Sequence, residues 1–192
     1  MPLADGELIQ RIAQKDARAF DKLFLKYRQS VYRFAYYLTQ NRNEADDLFQ
    51  DTWLRAVKYL PSSSGIRDFK AWIFTITANL HRDQLRKKKI RRIFFPQRSV
   101  ESDSNVDPVE DSESAVVPKV NDDSNRIDIN LALNQAITHL PFKQRRVFVL
   151  KEIEGLKHSE ISEILKVPVG TIKSLLHRAV KKLQLELADF KN

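Results

Sequence analysis

Three groups of side chains in this sequence have the type and spacing for recognition chemistry. The first lies near the C-terminus, where Lys173, Ser174, His177, Arg178 and Lys181 fall on one side of a helical pattern. Lys and Arg can neutralise phosphates or bond guanine edges, and Ser and His can bond either. The second is acidic. Asp47 and Asp51 sit one helical turn apart, with Gln50, Trp53 and Leu54 close by. Acids in a first turn offset the helix dipole, and an acidic, partly apolar face also suits a protein partner. The third interleaves aromatic and basic residues: Phe69, Lys70, Trp72 and Phe74, then Asn79, His81, Arg82, Arg86 and Lys87. Aromatic faces stack on unpaired bases while cations track the backbone. Trp72 suits a helix core equally well.

The elements that must carry these groups are helices. Ile161, Ile164 and Leu165, then Ile172, Leu175, Leu176, Ala179 and Leu183, recur at i, i+3 and i+4. Between them Lys166-Val167-Pro168-Val169-Gly170 breaks the pattern, and Pro168 can enter the second helix but not continue the first. Two short amphipathic helices with a basic outer face on the second describe a DNA-binding helix-turn-helix. The plainer reading is a helical hairpin with a solvated basic side.

Upstream, residues 5–15 predict a short helix, and Asp16 is placed to cap the next. That next helix carries a core stripe through Phe20, Leu23, Phe24, Tyr27, Val31, Phe34, Ala35 and Leu38. Asn43 is the expected cap of a helix running to Leu60. Ala45, Leu48, Phe49, Thr52, Ala56 and Tyr59 mark its buried side, and Trp53 also reads as core. The aromatic-basic helix starts near Asp68. The last third predicts a helix over Ile127–Leu140 and another from Phe142, with Gly155 as a C-terminal cap.

Composition narrows the field. The chain has 192 residues, 42% apolar, with four Gly and no Cys, which suits an all-α protein and excludes disulfides and thiolate metal sites. Four scattered His residues suggest no metal site, and no cofactor is expected. No apolar run reaches the roughly 20 residues of a membrane span and the N-terminus is not signal-like, so the cytoplasm is the expected compartment. The net charge of +8 is unevenly spread. From Arg82 to Arg98 eight basic residues stand against one acid, Asp83, and like charges so crowded repel one another unless a polyanion binds. From Ser99 to Asn125 eight acids stand against one base, Lys119. Residues 96–126 therefore read as a flexible acidic linker between a domain at 1–95 and a second at 127–192. Each is expected to hold one modest core.

With these parts in order, the chain resembles a bacterial sigma factor of the sigma-70 family, closest to the extracytoplasmic-function group. The likeness rests on four motifs: Asn43–Ala56, Phe69–Leu80 with Asp83 and Arg86, Leu140–Phe148, and Val169–Ser174 with His177-Arg178-Ala179 and Lys181-Lys182-Leu183. It implies a non-enzymatic protein of two helical domains, regions 2 and 4, that binds core RNA polymerase through its β′ and β subunits and starts transcription at promoter DNA. It implies that Asp47, Leu48, Gln50, Asp51 and Leu54 meet polymerase. Ser63, Ser64, Gly65, Arg67, Trp72, Asn79, Arg82, Arg86 and Lys87 would recognise and melt the −10 element, a flipped base entering a pocket that repays its unstacking. Thr171, Lys173, Ser174, His177, Arg178 and Lys181 would read the −35 element. An anti-sigma factor is a further implied partner. The chain departs from the common pattern at Ser63 and Ser64, where an aromatic and a base are frequent, at Leu175 and Val180, where Arg is frequent, and at Lys166, where Gly is common. Two other functions fit parts of the sequence: a stand-alone helix-turn-helix regulator, and a nucleic-acid enzyme using Asp47 and Asp51 on a metal.

Overall fold

The structure, a computed structural model, describes residues 4–62, 66, 68–94 and 124–188. Every regular element among them is helical: α1 (Asp5–Ala13), α2 (Ala17–Thr39), α3 (Arg42–Tyr59), a 3₁₀ turn (Leu60–Ser62), α4 (Phe69–Phe94), α5 (Ser124–His139), α6 (Phe142–Phe148), a π-helical turn (Val149–Ile153), α7 (His158–Leu165) and α8 (Val169–Ala188).

Local chemistry sets the boundaries. Asp16 accepts from the Arg18 N–H at 3.0 Å and opens α2, as expected. At α3 the cap is Asn41, which accepts from the Glu44 N–H at 3.1 Å, and not Asn43. Gln40 is left-handed and Asn41 extended, so the chain re-enters helical geometry at Arg42 and leaves Asn43 inside the first turn. Asp68 caps α4 by accepting from the Ala71 N–H at 3.1 Å. Gly155, at φ +71°, ends the π turn, and its N–H bonds the Lys151 carbonyl at 3.1 Å. The π turn itself has no sequence signature.

α1 to α4 pack around Leu8, Ile12, Leu23, Tyr27, Val31, Trp53, Phe69 and Ile73. Trp53 is 6% exposed and meets Phe24 edge-on, with ring centroids 4.9 Å apart. Tyr59, expected on the buried side of α3, is 45% exposed because α3 ends there and the 3₁₀ turn follows.

A second core does not respect the division of the chain into halves. Phe34, Ala35, Leu38, Leu48 and Phe74 from the first half join Ile137, Leu140, Val147, Leu150, Ile161, Ile164, Ile172, Ala179 and Leu183 from the second in one buried cluster. The first half thus keeps a core of its own, as expected, whereas the core of the second half is shared with it. α4 lies against α7, and α2 against α6 and the π turn. The expected linker falls outside the described residues, except that α5 begins at Ser124.

Candidate nucleic-acid and protein interfaces

The helix-turn-helix is held from both sides of its turn. Glu160 reaches back to the Lys157 N–H at 2.7 Å and fixes the start of α7. Ile161, Ile164 and Leu165 are buried. Lys166 takes the left-handed conformation, φ +54° and ψ +50°, and its N–H bonds the Ser162 carbonyl. The Ser162 hydroxyl donates to the Val167 carbonyl at 2.6 Å, and the Ile172 N–H bonds the Pro168 carbonyl at 3.0 Å. Pro168 therefore supplies the first carbonyl of α8 without needing an N–H of its own.

α8 then divides cleanly. Ile172, Ala179 and Leu183 are buried and Leu175 and Leu176 half-buried. Thr171, Lys173, Ser174, His177, Arg178 and Lys181 are all exposed. Among the described residues these side chains make one hydrogen bond, from the Ser174 hydroxyl back to the Thr171 carbonyl at 3.0 Å. Three cations, a hydroxyl pair and an imidazole thus stand on one open helix face, the arrangement that reads groove edges and phosphates.

On α3, Asp47, Gln50, Asp51 and Leu54 are exposed, Leu54 to 69%. Leu48 is a correction to the set implied by the resemblance. It is fully buried beside Phe34 and Phe74, because it lies on the stripe of Ala45, Thr52 and Ala56, and no partner can touch it in the folded chain. Among the described residues no group of three or more His, Asp or Glu side chains could hold a metal, so Asp47 and Asp51 have no third ligand there.

On α4 Trp72 is neither fully buried nor fully open. Its ring lies 5.7 Å from that of Phe69 at the edge of the core, and the side chain remains half-buried. Asn79 is half-buried, and its Oδ1 accepts from the Arg82 guanidinium at 2.7 Å. Arg82, Arg86 and Lys87 are exposed, on the same open side of the helix as Trp72 and Asn79. Lys88 pairs with Glu44 at 2.5 Å, which joins the basic end of α4 to the start of α3. Ser63, Ser64, Gly65 and Arg67 lie outside the described residues.

Three buried polar residues sit between the halves: sequence reasoning gave Glu154 and Arg145 no role and grouped His81 with the aromatic-basic face, from which its burial removes it. Glu154, its side chain 1% exposed, pairs with Arg33 of α2 at 2.8 Å and with Lys70 of α4 at 3.6 Å. Arg145 is buried on α6. Its Nε donates to the Tyr37 carbonyl at 2.7 Å and its Nη1 to the Thr138 and Leu140 carbonyls at 2.7 and 3.1 Å. Burial lowers its pKa below the ordinary guanidinium range, and carbonyls at the ends of α2 and α5 supply the compensation. His81, 5% exposed, faces Phe142 with ring centroids 5.6 Å apart. The signals were present but unreadable: each of these polar residues stands in a helical pattern where a solvated position is the default.

Known proteins bear on this geometry. The Sigma-70 region 2 family matches residues 23–91, and the Sigma-70, region 4 family matches residues 130–183. The chain is 31% identical over 182 residues to the ECF RNA polymerase sigma factor SigW of Bacillus subtilis, covering 94% of this chain and 95% of that protein. It is 28% identical over 183 residues to the RNA polymerase sigma-H factor of Pseudomonas aeruginosa, covering 91% and 89%. Among solved structures, the sigma factor RpoE of Bartonella quintana, in complex with the anti-sigma factor NepR, superposes with a TM-score of 0.66 at 25% identity, over 90% of this chain and 98% of that one. The two matched regions contain the open α4 and α8 faces, and the full-length likeness to SigW joins them in order: the chain belongs to the extracytoplasmic-function (ECF) group of sigma-70 family RNA polymerase sigma factors.

Proposed function

We propose that this chain brings core RNA polymerase to promoters through three separate faces. Asp47, Gln50, Asp51 and Leu54 on α3 dock on polymerase, where exposed carboxylates flank an exposed leucine. Trp72, Asn79, Arg82, Arg86 and Lys87 on α4 engage the −10 element, the cations on phosphates and the half-buried Trp72 ring at the edge of the base pocket. Ser63, Ser64, Gly65 and Arg67 complete that reading on grounds of sequence alone. Thr171, Lys173, Ser174, His177, Arg178 and Lys181 on α8 enter the −35 major groove. The domains are assigned as 1–95 for polymerase and −10 work, 96–126 as linker and 127–192 for −35 work.

The observation that carries this reading is the α8 face: six exposed polar or cationic side chains opposite a buried stripe, directly after a fixed turn. Polymerase supplies the chemistry of RNA synthesis, and the chain itself acts by binding, without a cofactor, in the cytoplasm. No helix of the described residues is long and apolar enough to cross a membrane. An anti-sigma protein is the third expected partner, by likeness to the Bartonella RpoE, which was solved with one. Reconstituted run-off transcription tests the whole. Core polymerase plus this chain should initiate at promoters that core enzyme alone ignores. Specific, tight duplex binding by the free chain, with no polymerase-dependent initiation, would instead make it a stand-alone regulator.

A further inference from the structure

Arg145 and its chain neighbour Arg146 meet the interior of the molecule on different terms. Arg145 is buried and gives its donors to three carbonyls. Arg146, also on α6, is half-buried. Its guanidinium lies over the Phe142 ring, 5.2 Å from the centroid, and its Nε is enclosed with no hydrogen-bond partner. A π face attracts a cation but has no lone pair for an N–H, so stacking orients this guanidinium without satisfying its donors.

The surroundings add positive charge and little to balance it. The Phe142 ring also meets the buried His81 of α4, at 5.6 Å between centroids. The next residue of α4 is the exposed Arg82, which donates to the neutral Asn79 amide oxygen. Burial lowers the Arg146 pKa below the ordinary guanidinium range, and Arg82 is close enough to lower it further. Glu44 is the carboxylate that acts on His81, and it is paired with Lys88. Among the described residues no carboxylate forms an ion pair with Arg82 or Arg146.

Two guanidinium groups from two helices thus stand near one another with donors to spare, one of them partly out of water. Like charges so placed are disfavoured, and a guanidinium fork matches the oxygens of a phosphate. A terminal phosphate carries about −1.5 to −2 charges at neutral pH, which would balance both cations. A backbone phosphodiester carries one charge and has chain on both sides, a poor match to a half-buried side chain. We propose that Arg82 and Arg146 form a seat for a terminal phosphate dianion between α4 and α6, with Phe142 holding the Arg146 guanidinium in place. The ligand is free phosphate or the phosphate end of a small molecule.

Calorimetric titration of the full chain with inorganic phosphate, pyrophosphate and adenosine monophosphate tests this, at an ionic strength fixed with chloride and without divalent metal. The parent should bind one phosphate per chain. Arg146→Gln should weaken binding at least about tenfold, the scale of one lost charge-assisted contact. Arg146→Lys keeps the charge without the fork and should fall between the two. Arg82→Gln, at an exposed position, should weaken binding by the same order with the fold intact. Lys22→Gln removes the same charge from an exposed position on α2 and should change the affinity by less than about twofold, because salt screens a distant charge. Phosphate should raise the unfolding midpoint of the parent and of Lys22→Gln, and leave that of Arg146→Gln unmoved. Tighter binding of pyrophosphate or adenosine monophosphate than of phosphate would identify the end of a larger ligand, and equal or weaker binding would identify free phosphate. No saturable binding, equal weakening by Lys22→Gln and Arg146→Gln, or unchanged binding in Arg82→Gln would overturn the seat. So would a short single-stranded oligonucleotide that displaces phosphate and loses as much affinity in Arg146→Gln as phosphate does, since both guanidinium groups would then belong to the DNA backbone.

Discussion

The packing of α4 against α6 should weaken in mild acid because of His81. Its ring is 5% exposed, between α4 and Phe142 of α6. Burial is the main cause that depresses its pKa from 6.5 to about 4. Glu44 on α3 opposes the shift, while Lys88 on α4 and Arg145 and Arg146 on α6 add to it. A His with a depressed folded pKa binds fewer protons folded than unfolded. Its contribution is therefore complete above the unfolded pKa of 6.5 and is lost as the pH falls from there through about 4, below which nothing more is lost. At about 1.4 kcal/mol per pKa unit the whole loss is about 3 kcal/mol, with a steepest slope of about 1.4 kcal/mol per pH unit near pH 5. Carboxylates also titrate at the lower end, so the assay is a difference: urea unfolding at intervals from pH 7 to 4 for the parent and for His81→Phe. The parent should lose about 3 kcal/mol relative to the variant across that window. Parallel curves from pH 6.5 to 4 would refute the reasoning, since they would mean that His81 binds its proton equally in both states.

Four further outcomes follow from named geometry. Lys166→Gly should stabilise the chain by about 1 kcal/mol, measured by denaturant unfolding, because Lys166 holds φ +54° where a Cβ is penalised. Leu48→Ala should cost about 2–5 kcal/mol, the range for a fully buried leucine. Asp51→Lys, on the open side of the same helix, should leave the unfolding midpoint within about 0.5 kcal/mol of the parent's stability and abolish co-purification with core polymerase. Arg178→Ala should weaken −35 recognition by about 1–3 kcal/mol if it bonds a base edge. Footprinting with intact and scrambled −35 elements checks this, and equal discrimination by parent and variant would remove Arg178 from the groove.

Much of the architecture was legible because it repeats. The 3.6-residue stripes on α2, α7 and α8 leave little freedom in which side faces the core, and the exposed row on α8 follows from the buried one. What stayed hidden depends on long-range contact. Asn41 and Asn43 are chemically equal as caps, and the left-handed Gln40 decides between them. Leu48 illustrates a conflict: the stripe marked it as core, whereas its place within a docking motif suggested a surface, and its full burial decides for the stripe. Arg145 and Glu154 look solvated in sequence and are buried only because another helix arrives.

The chemistry of that arrival bears on how firmly the halves are held. Removing the Glu154 carboxylate from water is costly, and its attraction to the partly exposed Arg33 and Lys70 must first offset that cost. An apolar contact of the same volume is often the more stable choice. A chain selected for permanent closure would do better with leucines at Arg33, Lys70 and Glu154. The polar set instead gives directional contacts that fail together, because separating the halves returns each charged group to water at once. The shared apolar core supplies the attraction, and the ion pairs fix one register while keeping the net gain small.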